Sequence, residues 1–142
     1  MSNPLLEQTG LPAFSRITPE HVEPAIDNLL AANRQRINQL LTTVKDPDWS
    51  SLVEPIEEWD EQLNRAWSPV SHLNAVVNSD ALRAAYNACL PKLSDYATEM
   101  GHNEKLFAAY KSVAAQPGQL DEAQRKVLDN ALRDFHLSGV DL

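Results

Sequence analysis

Apolar residues recur every three or four positions along almost the whole chain. One run consists of Leu52, Ile56, Trp59, Leu63 and Trp67, and these side chains share one face of an α-helix because a helix turns once per 3.6 residues. No segment alternates apolar and polar residues for long enough to indicate a strand. The spacing therefore predicts an all-α fold, an irregular bundle or array of about six antiparallel amphipathic helices. The length, 142 residues, is sufficient for one domain with a buried core.

Residues 1–17 lack this periodicity. Pro4, Gly10 and Pro12 interrupt the segment, which favours an extended arm over a helix. Five apolar side chains are expected to anchor the arm to the surface of the domain, namely Leu5, Leu6, Leu11, Phe14 and Ile17. Thr18-Pro19-Glu20 then has the capping hydroxyl, first-turn proline and acidic residue of a helix start. We therefore expect an arm over 1–17 and a helical domain over 18–142.

Three prolines interrupt otherwise helical patterns. Because an interior proline removes one hydrogen bond and clashes with the preceding turn, Pro24 predicts a short turn over Pro19–Glu23 followed by a helix from Pro24 to about Val44. A second helix is expected from near Ser50, and Ser68-Pro69 predicts a restart as a separate short helix. Pro91 is expected to kink a third long helix without ending it, because the apolar period continues on both sides.

Polar and small residues predict the ends of the last two helices. Asn103 is a plausible cap for a helix that continues to about Ala115. Asp121 and Gln124 have capping-box spacing at the start of the final helix, which is expected to end at Ser138-Gly139. Between them, Gln116-Pro117-Gly118 predicts a turn.

The charge and cysteine content exclude several classes of function. Twelve basic and twenty acidic side chains give a net charge of -8, which disfavours binding to nucleic acid or to an anionic membrane. No apolar stretch approaches the roughly 20 residues of a transmembrane helix. Cys89 is the only cysteine, so neither an internal disulfide nor a cysteine-based zinc site is expected. With no signal-like start, we expect a cytoplasmic protein.

The catalytic candidates are few. The four histidines lie too far apart in sequence to present paired ligands from one helix, and H-E-x-x-H does not occur; they are His21, His72, His102 and His136. Cys89 lies on an apolar stripe without a neighbouring base, which is typical of a buried thiol and not of a nucleophile. We therefore predict no catalytic, cofactor-binding or metal-binding residue, and no enzymatic activity, for this chain alone.

Two further features have alternative interpretations. The carboxylates of Glu54, Glu57, Glu58 and Glu61 fall on one helix face and can hold a cation or a basic peptide, but a solvated face looks the same, and we favour the solvated face. Trp59 and Trp67 can stack on a ligand. Their phase with the apolar stripe favours a role in the core or an interface.

Several long segments resemble one known family. They are NPLL (3–6), LPAFSRITPEHVEPAI (11–26), WSPVSHLN (67–74), LPKLSDY (90–96), NALRDF (130–135) and LSG (137–139). In this order and along the whole chain, they are similar to the N-terminal part of bacterial oligopeptidases of the thimet-oligopeptidase family of zinc metallopeptidases. None of these segments is a catalytic motif.

The resemblance implies a fold and a role. Members of this family are longer, cytoplasmic, mostly helical enzymes that cleave short peptides in a deep channel, with zinc held by H-E-x-x-H and a downstream glutamate. By this resemblance the chain is a fragment: a non-catalytic N-terminal helical domain that forms part of the channel wall. Its implied partners are the missing catalytic domain and, for the full-length protein, one zinc ion and short peptide substrates.

The alternative is a free-standing helical protein–protein interaction module, although no repeat near 34 residues supports one. Under the first hypothesis, helices that pack against a missing remainder leave an apolar patch exposed. We expect self-association through such a patch, with Trp59, Trp67, Phe107 and Phe135 as its candidate residues.

Overall fold

A computed structural model describes residues 3–6, 17–77, 79–116 and 120–140. Within these ranges the chain is helical and contains no strand, which confirms the predicted all-α class. The five α-helices are α1 (Pro19–Thr43), α2 (Glu54–Val76), α3 (Asp80–Gly101), α4 (Glu104–Ala114) and α5 (Glu122–Ser138). A single π-helical turn, Trp49–Val53, leads directly into α2.

The predicted break at Pro24 is wrong, because α1 runs without interruption from Pro19 to Thr43. Pro24 is the sixth residue of α1, and its ring lies on the exposed side. The carbonyl that loses its donor there can bond to water. Val22 and Ile26, on either side of the proline, are fully buried, so packing of the continuous stripe offsets the lost hydrogen bond.

The predicted restart at Ser68-Pro69 is also wrong. Pro69 lies inside α2, and the Ser68 hydroxyl lies 3.4 Å from the side-chain oxygen of Asn64 in the preceding turn. Ala66 and Val70 are fully buried on the two sides of this site, so the same stripe continues through the proline. The described residues therefore hold five α-helices instead of about six.

The helix starts predicted from local sequence are confirmed. Asn103 accepts a hydrogen bond from the Leu106 amide as the cap of α4. Asp121 and Gln124 form the expected reciprocal capping box at α5, with distances of 2.7 and 3.1 Å. Gly139 ends α5 with a left-handed φ of 89°, a conformation that suits a residue without a Cβ.

Two other helical features agree with the sequence predictions. Pro91 lies inside α3, which continues to Gly101, as expected. The helical segment predicted from near Ser50 starts with the π-helical turn. Asp48 caps this turn by accepting from the Ser51 amide at 2.8 Å, while the Asp48 amide donates to the Ser51 hydroxyl at 3.0 Å. Hydrogen bonds from the Ser51 amide and then from the Ser51 side chain lower the pKa of the Asp48 carboxyl group.

The chain divides into two compact units, and each has its own core. The first unit comprises Met1–Arg34 and Glu58–Ser94, and the second comprises Gln35–Glu57 and Asp95–Leu142. The buried apolar side chains of the first unit include Val22, Ile26, Leu30, Ala66, Val70, Leu82 and Cys89. Those of the second unit include Ile37, Leu52, Val53, Leu106, Tyr110, Val113, Leu128 and Phe135.

Five residues of the N-terminal arm are described, namely Asn3 to Leu6 and Ile17. Asn3 to Leu6 form a turn closed by the Leu6 amide on the Asn3 carbonyl at 2.9 Å. The Asn3 side chain donates to the His21 carbonyl in α1 at 2.9 Å, and Leu5 is buried. Leu5 is therefore packed on the first unit, whereas Leu6, also predicted as an anchor, is 37% exposed. Leu11 and Phe14, predicted as further anchors, lie outside the described residues.

In the second unit, α4 and α5 are joined through an aromatic cluster. The ring centroid of Phe135 lies 5.3 Å from that of Phe107 and 5.6 Å from that of Tyr110. The ammonium group of Lys111 lies 4.6 Å from the Phe107 ring centroid, within the range of a cation–π contact. These contacts place the start of α4 beside the end of α5.

Candidate functional site

The four histidines do not converge. The His21 ring accepts a hydrogen bond from the Thr18 amide at 3.1 Å, at the start of α1. The His102 ring hydrogen-bonds to the Ser138 carbonyl at the end of α5, and His72 and His136 are exposed. Across the four described ranges, no three His, Cys, Asp or Glu side chains group into a possible metal site.

Cys89 is fully buried in the first unit, next to an ionic cluster. The Lys92 ammonium group lies 2.8 Å from Asp27 Oδ1 and 3.2 Å from Glu23 Oε2, and these two hydrogen bonds raise the pKa of Lys92. Burial, followed by the negative charge of Glu23, raises the pKa of the Cys89 thiol. A protonated, buried thiol is a poor nucleophile, so Cys89 is not suited to covalent chemistry. The ion pairs of Lys92 with Glu23 and Asp27 join α3 to α1.

The acidic face of α2 is solvated. Glu54, Glu57, Glu58 and Glu61 are all exposed, and Glu61 pairs with Arg65 one turn later at 2.9 Å. Partial desolvation raises the pKa of Glu57, although much of its side chain is exposed. This arrangement matches an ordinary polar helix face opposite an apolar stripe.

Trp59 and Trp67, predicted to lie in the core or an interface, are both half-buried. Trp67 stacks on Tyr86 of α3, with ring centroids 5.0 Å apart and planes inclined by 13°. Tyr86 therefore occupies one face of the Trp67 ring.

An apolar groove of about 220 Å³ lies in the second unit. The end of α1, the following linker, the π-helical turn and α4 all contribute to it, through Leu40, Leu41, Val44, Pro47, Leu52, Lys105, Ala108 and Ala109. Lys105 is the one charged residue in this lining. Such a mostly apolar depression with a single charge suits an aliphatic side chain of another polypeptide better than a polar metabolite.

Small side chains and one long-range hydrogen bond create the groove. Ala108 and Ala109 leave space on α4 where larger residues would fill it. The Gln116 side chain donates to the Pro47 carbonyl at 2.8 Å, which holds the linker after α1 beside the end of α4. The sequence predicted a helix that ends at about Val44 but did not indicate the groove. The adjacent alanines on α4 were the available signal.

The exposed apolar surface differs from the predicted patch. Phe135 is only 7% exposed, and Phe107, Trp59 and Trp67 are half-buried. Aromatic partners cover part of the Phe135, Phe107 and Trp67 rings. The most exposed large aliphatic side chains are instead Val76, Val77 and Leu137, at 63%, 56% and 75%. Val76 and Val77 belong to the first unit and Leu137 to the second.

Comparison with known proteins gives a consistent result. Residues 26–142 match the family described as the N-terminal domain of neurolysin and thimet oligopeptidase. The chain is similar to oligopeptidase A of Haemophilus influenzae, with 48% identity, and of Escherichia coli, with 45% identity, in each case over 100% of this chain. A probable cytosolic oligopeptidase A of Arabidopsis thaliana is 32% identical over 99% of the chain.

These relatives are much longer proteins. The matched region is 21% of each bacterial relative and 20% of the plant protein, so the chain spans about a fifth of their length. Among the helices described, none has the combination of length and apolar character needed to cross a membrane.

Proposed function

The chain belongs to the family of neurolysin and thimet oligopeptidase N-terminal domains, as its resemblance predicted, and from this premise we propose that it is the non-catalytic helical domain of a zinc-dependent oligopeptidase. In the full-length protein this domain forms part of the wall of a channel in which short peptides are hydrolysed. Its principal partner is the catalytic domain of the same polypeptide, and its compartment is the cytoplasm.

One observation carries this proposal: the chain aligns from end to end with oligopeptidase A but covers only 21% of it. A peptidase of this class requires converging metal ligands and a base that activates the bound water. H-E-x-x-H does not occur in the sequence, and no possible ligand cluster occurs in the described ranges. We therefore assign the metal and the chemistry to the remaining four-fifths of the full-length protein.

The side-chain contacts within each unit support a role as a rigid part of the channel wall. In the first unit, Lys92 of α3 bridges Glu23 and Asp27 of α1. In the second, α4 and α5 share the cluster of Phe107, Tyr110 and Phe135. Packed helices with interlocked side chains resist deformation, a property that a wall needs if it is to exclude folded proteins from a channel.

The first experiment measures hydrolysis of a short quenched fluorescent peptide. The isolated chain with added zinc is expected to show no turnover, and the full-length protein is expected to show turnover that a chelator abolishes. Zinc-dependent turnover by the purified 142-residue chain would overturn the proposal.

The second experiment tests the assignment to a shared channel. A polypeptide that lacks this region is mixed with the isolated chain, and hydrolysis of the short peptide and of a long unfolded protein is followed. Addition of the chain is expected to restore cleavage of the short peptide and to lower cleavage of the long substrate. If the chain binds the remaining polypeptide without changing either rate, it acts as an interaction module instead.

A further inference from the structure

We propose that the groove of the second unit binds Leu137 of a second copy of this chain, so that two copies associate reciprocally. This inference concerns the isolated chain and does not depend on the proposed peptidase role. It follows from an exposed aliphatic side chain, an apolar depression and a pair of opposite charges in the same unit.

The inserting residue is Leu137, in the last turn of α5. It is 75% exposed, the largest exposed fraction among the large hydrophobic side chains described. Asp134 lies three residues earlier in α5 and is also exposed. Residues three apart on a helix are neighbours on its surface, so Leu137 and Asp134 present an aliphatic group and a negative charge side by side.

The groove presents the complementary pair. Ala108 and Lys105 both line it, and they are likewise three residues apart on one helix, α4. Leu40, Leu41 and Val44 form the opposite wall and are only half-buried. The spacing of apolar group and charge is therefore the same on α4 as on α5, and the charges are opposite in sign. Lys105 therefore attracts an acidic helix face to the groove, and this local attraction opposes the general repulsion between two chains of net charge -8.

The inserting residue and the groove lie at the same end of the second unit. The His102 ring, just before α4, hydrogen-bonds to the Ser138 carbonyl next to Leu137, and Phe107 contacts Phe135. A two-fold axis can bring two copies together with each contact made twice. Doubling brings a small contact closer to the area that a specific interface needs.

The experiment is sedimentation equilibrium of the 142-residue chain from micromolar to hundreds of micromolar concentration. A reversible monomer–dimer equilibrium is expected. Leu137→Asp and Ala108→Asp should each lower the association constant by at least about tenfold, as expected for a residue at the centre of an interface and for the residue that it contacts. Circular dichroism checks that both variants keep the helical content of the parent chain.

A charge exchange tests the specific pairing. Lys105→Asp and Asp134→Lys should each weaken association, and the double variant K105D/D134K should restore it, because the two charges again oppose each other across the interface. Val76→Asp is the matched control: it removes a comparably exposed aliphatic side chain from the first unit and should leave the association constant unchanged.

Two results would overturn the proposal. One is a strict monomer at the highest concentration. The other is a dimer that survives both Leu137→Asp and Ala108→Asp, including a dimer that only Val76→Asp dissociates, because the second copy would then be held by another surface.

Discussion

Gly101, the last residue of α3, lies directly against Ser138, the last residue of α5. A Cβ atom on Gly101 would lie 2.6 Å from Ser138 Oγ and 3.0 Å from Ser138 Cβ. The neighbouring His102 ring hydrogen-bonds to the Ser138 carbonyl. The ends of the two helices thus meet at a position where a Cβ atom at residue 101 would displace the Ser138 side chain.

Gly101→Ala should therefore destabilise the chain. Forcing a methyl group into this contact displaces Ser138, at a cost of about 1–2 kcal/mol after the usual helical preference for alanine is subtracted. Urea denaturation followed by circular dichroism measures the difference. The double variant G101A/S138G removes both atoms that clash and should recover most of the loss. A variant Gly101→Ala as stable as the parent would show that the helix ends separate freely.

The Asn33 side chain is expected to lower the free energy of unfolding of this chain. It is fully buried on the apolar stripe of α1, and neither Nδ2 nor Oδ1 has a hydrogen-bond partner among the described residues. An unsatisfied buried amide costs about 1–3 kcal/mol, so Asn33→Leu should raise the urea midpoint. Asn28→Leu, at an exposed position of the same helix, should have little effect.

Asn33→Asp provides the opposite test. A buried carboxylate without a partner is costly only when it is ionised, so this variant should lose stability as the pH rises through the carboxyl pKa. Equal stability of Asn33→Asp at about pH 4 and about pH 7 would mean that polar groups or water reach this position.

Lys92→Met should lower stability at neutral pH, because Glu23 and Asp27, one turn apart on α1, then lose the cation between them. The hydrogen bonds to Asp27 and Glu23 raise the pKa of Lys92 above its ordinary value of 10.5. A raised pKa on a base means that the stabilisation is complete below about pH 10.5 and is lost as the pH rises through the pKa of the folded state.

The measurement for Lys92→Met is the urea midpoint of parent and variant at about pH 7, 9 and 11. The difference between the two urea midpoints should be constant up to about pH 9 and should become smaller at about pH 11. High salt should also narrow it, since the ion pairs are partly exposed. Arg83→Met is the control, because Asp80 of its surface ion pair is fully exposed and its loss should change little.

Alanine substitutions at Phe135 and Leu137 should change the free energy of unfolding by very different amounts, although the two residues are only two positions apart. Phe135→Ala empties a site where Phe107 and Tyr110 make ring contacts and should cost about 3–5 kcal/mol. Leu137→Ala removes a side chain that is 75% exposed and should cost less than about 0.5 kcal/mol. Both are measured by urea denaturation at low concentration, where the chain is monomeric. A large loss from Leu137→Ala under these conditions would show that the residue contributes to the core.

Local sequence determined the starts of α4 and α5. Asn103 and Asp121 cap these helices through amides three residues ahead of them, so the relevant atoms belong to one short segment. Gly139 ends α5 for an equally local reason, its left-handed φ. The 3.6-residue period determined the all-α class, because a repeated apolar stripe requires a helix whatever covers it.

Tertiary packing decided whether each proline broke its helix. Pro24 and Pro69 have the same local penalty as a proline that ends a helix. Both remain within α1 and α2 because fully buried side chains flank them, such as Ile26 and Val70, and the partners that bury these side chains are distant in sequence. The count of about six helices was wrong for this reason.

Tertiary packing also decided which apolar side chains remain exposed. The sequence placed Phe135 and Leu137 in one helix, and the segments that resemble the oligopeptidase family identified the family, but neither indicates how much of each side chain is covered. Phe135 is covered by Phe107 and Tyr110 from α4, whereas Leu137 is not, and Ala108 meets the end of α1 across a groove. Burial depends on the surfaces of other elements, so the groove and its proposed occupant emerged only from the structure.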